Sequence, residues 1–100
     1  MANANFTLTK NSPTTNPFSV TELTTVSLAV LGEPRLEPNS SVRLQVEVSA
    51  GVYKDIGEPF NESIDMFNVQ LNEGTYRLKF VASSNDSQCA VFISPFTAPV

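Results

Sequence analysis

Residues 42–82 read VRLQVEVSAGVYKDIGEPFNESIDMFNVQLNEGTYRLKFVA, and apolar and polar residues alternate through most of the run. Val42, Leu44, Val46 and Val48 fall on one side, Arg43, Gln45, Glu47 and Ser49 on the other. Tyr76, Leu78, Phe80 and Ala82 repeat the pattern against Arg77 and Lys79. Successive side chains of a strand point to opposite faces, so this period of two specifies strands with one buried and one wet face. Ala50-Gly51 is a turn signal, and Val52–Ile56 returns as the second arm of a hairpin closed off by Gly57 and Pro59. Asn61 or Ser63 could cap a helix. Phe67, Val69 and Leu71, however, alternate with Asn68, Gln70 and Asn72, which predicts a strand from about Met66 and a tight turn at Asn72-Glu73-Gly74.

Toward the C-terminus, residues 83–88 (SSNDSQ) read as a loop and Cys89–Ser94 as a last strand, with Pro95 and Pro99 ending the pairing. Toward the N-terminus, Phe18–Val20 and Val26–Leu31 are strands. Ala29 and Leu31 make the second face of the latter apolar, which predicts cover on both sides. Gly32, Pro34, Pro38 and Asn39 mark a turn-rich connection between this strand and Val42. Residues 1–17 are rich in Asn and Thr and hold Pro13, Pro17 and one β-like piece, Phe6–Thr9. They read either as a frayed terminus or as an arm that adds a strand to a neighbouring subunit. The expected organisation is therefore an N-terminal arm, 1–17, and a domain, 18–100. Six to eight short strands with turn signals about every ten residues predict an all-β fold: one antiparallel β-sandwich, immunoglobulin-like or jelly-roll-like.

One hundred residues allow one small domain. Charged residues make up 16% of the chain, below the usual quarter or so, which leaves Ser, Thr, Asn and Gln to supply the polar surface. The net charge is −4, and the six cations, Lys10, Arg35, Arg43, Lys54, Arg77 and Lys79, are scattered. Nucleic acid is therefore not an expected partner. Neither is a membrane: no apolar run approaches the roughly 20 residues of a span, and MANANFTLTK lacks the basic and apolar regions of a secretory signal. The single cysteine, Cys89, alternates with Val91 and Ile93, which predicts burial. Four sequons, at Asn5, Asn39, Asn61 and Asn85, read as by-products of an Asn- and Ser-rich chain.

Histidine is absent, which removes the usual general base and the commonest metal ligand. The sequence contains no GxSxG elbow, phosphate loop or zinc spacing. Asp55, Glu58, Glu62 and Asp65 crowd one connection and read as a solvated acidic loop, a calcium site or a glycosidase pair, none with ligand spacing to fix it. No cofactor is expected. Tyr76 lies in phase with Leu78 and Phe80, so it belongs to the core with its hydroxyl at the edge, whereas Tyr53 follows the hairpin turn. Phe6, Phe18 and Phe96 lie outside the strongest strands and are candidate anchors for a partner, or fold back on their own domain. Together with Thr7, Leu8 and Tyr53 they form the candidate partner-binding set.

The run Val42–Ser49, Ala50-Gly51, Tyr53, Ile56-Gly57 and Gly74-Thr75-Tyr76-Arg77 resembles small β-sandwich proteins of tailed-bacteriophage virions. The Cys…Trp…Cys signature of true immunoglobulin domains is missing. The resemblance implies a structural virion protein, a capsid cement or decoration subunit made in the host cytoplasm. It would bind the major capsid protein or another virion protein as a homo-oligomer, a dimer or trimer, and would not be an enzyme. The alternative it leaves is a carbohydrate- or receptor-binding module of a phage tail.

Overall fold

The structure is a computed structural model, which describes residues 3–31, 40–57, 59–60, 64–82 and 88–97, the side chains of 64–66 excepted. The expected turn at 32–39, the loop at 83–87 and the terminal Pro99 lie outside the described residues. Eight strands run along the rest: β1 (Ala4–Thr9), β2 (Phe18–Val20), β3 (Thr24–Val30), β4 (Ser41–Ser49), β5 (Val52–Asp55), β6 (Ile64–Leu71), β7 (Gly74–Val81) and β8 (Gln88–Ser94).

The pairing follows one rule. β1 pairs β8, β2 pairs β7, β3 pairs β6 and β4 pairs β5, all antiparallel, as if one long hairpin had been folded at the β4–β5 turn. Rolling that hairpin brings β3 beside β8 and β4 beside β7 and closes two four-stranded sheets, β1-β8-β3-β6 and β2-β7-β4-β5. This is the jelly roll of the two expected sandwiches. Gly51 at φ 74° makes the fold point of the hairpin, a left-handed conformation that costs a side-chain-bearing residue roughly 1–2 kcal/mol.

The alternation seen in the sequence sets the core. Val42, Leu44, Tyr76, Leu78 and Phe80 face Val26, Leu28, Val30, Cys89, Val91 and Ile93 across the sandwich, all buried. Each such aliphatic or phenyl side chain contributes about 1.5–3 kcal/mol through burial. Tyr76 is core as expected, its hydroxyl donating to the Asn72 carbonyl at 2.7 Å. Ala29 is covered, but Leu31 is exposed. Val48 departs from its pattern: it is 52% exposed because β4 pairs β7 only as far as Val46, so the hairpin tip runs past the opposing layer with Val52 beside it.

Residues 3–17, expected as part of an arm, lie against the domain itself. β1 is an edge strand of its own domain's sheet, registered from Ala4↔Ile93 to Thr9↔Gln88, and Leu8 is only 2% exposed. Past β1, the Thr15 N–H donates to the Leu78 carbonyl (3.0 Å), the Phe80 N–H to the Pro13 carbonyl (2.7 Å) and the Leu78 N–H to Thr15 Oγ1 (3.1 Å). Residues 13–20 thus cover the edge of β7 that β4 leaves open. The physical reason is hydrogen-bond demand: without them buried N–H and C=O groups of β7 would lack partners.

Candidate functional site

Four of the six candidate residues meet at one flank of the sandwich, on the inside. Phe18 is fully buried, stacked on Tyr76 at 5.9 Å and tilted against Phe96 at 6.1 Å. Phe6 lies 5.5 Å from Phe96, and both pack against the core that holds Leu8 and Phe18. Phe6, Leu8, Phe18 and Phe96 therefore close the β1/β2 side of the domain; Leu8 and Phe18 offer a partner no surface. Thr7, the outward residue of β1, is exposed and separate from them.

The other flank differs among the described residues. Between the edge strands β5 and β6, the connection that leaves β5 and the inner residues of β6 enclose a groove of about 500 Å³ lined by Leu44, Ile56, Phe60, Phe67, Val69 and Leu71. The Phe60 backbone is held there by a two-way bridge to Val42 (2.9 and 2.8 Å), and Gly57 turns the chain at φ 70°. Phe60 and Phe67 pack edge-to-face at 5.5 Å, yet Phe67 remains 44% exposed although it points in phase with Val69 and Leu71 toward the sandwich. Sequence reading missed this pair. Its alternation marked Phe67 as core, and nothing local says that the layer opposite it stops short.

Tyr53 lies on the outer face of the second sheet, within a chain of polar contacts. Arg43 Nη1 donates to Asp55 Oδ2 (2.8 Å), Gln45 Nε2 donates to Asp55 Oδ1 (2.8 Å), and Arg77 Nε donates to Gln45 Oε1 (2.8 Å). The Arg77 guanidinium sits 3.9 Å above the Tyr53 ring, so that face of the ring is not open to a sugar. The hydrogen bonds from Gln45 and then Arg43 hold the Asp55 carboxyl below its ordinary pKa. Of the acidic loop, Glu58, Glu62 and the Asp65 side chain lie outside the described residues. No group of three or more potential ligands among the described residues could hold a metal ion.

Two further groups titrate abnormally. Burial raises the Tyr76 hydroxyl and pushes the Cys89 thiol up to about 11, which leaves it protonated and unreactive at neutral pH. No helix among the described residues is long and apolar enough to cross a membrane.

No family model matches the chain, and no curated protein matches it either. Among solved structures, it is similar to the crystal structure of a pre-peptidase C-terminal domain of a collagenase from Bacillus anthracis. The match has a TM-score of 0.53 and 18% identity, and covers 93% of this chain and 86% of that one. At that identity the likeness concerns architecture: a sandwich of two antiparallel sheets.

Proposed function

We propose that this chain is a non-catalytic structural protein that docks onto an ordered protein assembly, as a decoration or cement subunit of a phage virion. The observation that carries the docking role is the asymmetry of the two flanks. One is sealed by Phe6, Phe18 and Phe96, whereas the other keeps an apolar groove with Phe67 at its mouth. An aromatic left partly bare in a concave apolar surface is the usual form of an interface anchor. The virion setting is supported by the sequence resemblance of residues 42–57 and 74–77, and by a surface poor in charge. The sugar-binding alternative loses support from Tyr53, which is capped by Arg77.

Affinity-tagged protein expressed in an infected host tests this reading. Co-sedimentation with assembled particles at a fixed, symmetry-related copy number is expected, and Phe67→Asp should abolish attachment while the isolated domain keeps its fold. A protein absent from purified particles would overturn the assignment.

A further inference from the structure

The outer face of the sheet β2-β7-β4-β5 gathers half of the chain's cations. Arg43 on β4 is registered directly opposite Lys79 on β7, and Arg77 lies two residues from Lys79 on the same face. Like charges set directly opposite across strands repel. Among the described residues two acids share the face: Asp55 takes Arg43 Nη1 and Gln45 and also feels the charge of Lys79, and Glu47 accepts the Gly51 N–H at 3.1 Å.

The cations are also held in place. Gln45 is 7% exposed, fixed by Asp55, and in turn fixes Arg77 through Nε, while the Tyr53 ring supports the guanidinium from one side. Among the described residues, the side-chain hydrogen bond of Arg77 is the one from Nε to Gln45 Oε1. Arg43 Nε is buried and makes no hydrogen bond, while the side chain as a whole is 40% exposed beside Asp55.

We propose that this face is a binding site for an extended acidic peptide segment of a partner protein. Arg77 and Lys79 would each take one carboxylate, and Arg43 would join the Lys79 position. Residues two apart in a strand are separated by about 7 Å, so Arg77 and Lys79 match the repeat of Asp or Glu at alternate positions of an extended chain. Arg77 presents a planar fork suited to a carboxylate. The occupant is peptide rather than nucleic acid because the chain as a whole carries −4, which opposes a long polyanion but acts weakly on a short segment seated on the cationic face. The proposal is independent of the apolar groove and of the virion setting.

The test uses the full chain and a ten-residue peptide of alternating Glu and Ser, followed by ¹H–¹⁵N NMR at low salt. Gln/Ser and Lys/Ser peptides and an oligothymidylate of similar length serve as comparators. Saturable shifts are expected at the Arg43 and Arg77 side-chain N–H signals and along β4 and β7. Binding should weaken about tenfold in Arg77→Gln and again in Lys79→Gln, and fall as salt is raised. Both positions lie on the wet face, and unchanged core amide shifts establish that each variant is folded. Failure of the Glu/Ser peptide to bind at millimolar concentration, equal binding of the Gln/Ser peptide, or an unchanged affinity in Arg77→Gln would overturn the site. Tighter binding of the oligothymidylate would overturn its assignment to a peptide.

Discussion

Leu8→Ala separates an integral first strand from a detachable one. Leu8 is 2% exposed on β1, between the aromatic flank and Cys89, its register partner on β8. Truncating a leucine at such a site removes its transfer energy and leaves a cavity, which costs about 2–5 kcal/mol. An intermediate value of about 3 kcal/mol is a large share of the 5–15 kcal/mol that holds a domain of this size. At about 4–8 °C per kcal/mol, the melting midpoint should fall by roughly 12–24 °C. Thr7→Ala is the control: the neighbouring residue keeps the same backbone pairing but faces water, so its effect should stay within about 0.5 kcal/mol. Urea unfolding followed by circular dichroism and calorimetry measures both. If β1 were an arm seated on another subunit, the midpoint would rise with protein concentration by mass action; a constant midpoint over about a hundredfold range is expected instead. A loss below about 1 kcal/mol for Leu8→Ala would refute the placement of β1 in the core.

Other consequences can be measured on the isolated domain. The folded Asp55 carboxyl titrates below its unfolded value, so its contribution is present above about pH 4 and is lost as the pH falls through the folded value. Asp55→Asn should flatten the acid limb of the stability curve by less than about 1 kcal/mol, as befits an exposed pair, and an unchanged limb would refute this. Cys89 runs the other way: with its thiol raised to about 11, the folded state holds the proton longer, and stability should decline from about pH 9 toward 11. Cys89→Ala should lessen that decline, leaving the part that the raised Tyr76 hydroxyl contributes, and in the parent protein a thiol reagent at pH 8 should react only as fast as the domain unfolds. Gly51→Ala meets open space, so its cost should be that of the left-handed backbone alone, about 1–2 kcal/mol by thermal melting.

What could be read in the sequence was local. β4, expected from Val42, spans Ser41–Ser49; β7 and β8 fall within a residue or two of expectation, because alternation and turn residues act over neighbouring positions. Pairing partners were not legible. FTLT alternates in the same way whether it joins a neighbour's sheet or its own. Its register with residues 88–91 joins the first strand to the last. Exposure failed for the same reason. Val48 and Phe67 lie in phase with true core residues, but burial depends on how far the opposing sheet extends, which is a property of the rolled topology. The Arg43–Asp55–Gln45–Arg77–Tyr53 chain spans three strands, so Arg43, distant in sequence, joins Arg77 and Lys79 on one face.

The jelly-roll pairing explains why surfaces rather than a pocket of reactive groups carry the functional interest. Folding a long hairpin into two sheets leaves two flanks, and the chain treats them differently. At β1/β2 it places three phenylalanines and the backbone of residues 13–20, covering both the core and the exposed edge of β7. At β5/β6 it places a four-residue strand, with Lys54 and Asp55, beside an eight-residue one. Short charged edges resist pairing with another chain, whereas a long edge beside an apolar groove invites it. Among the described residues the β5/β6 flank keeps an apolar groove while the opposite flank is packed with aromatics, and that asymmetry is what the proposed docking role rests on.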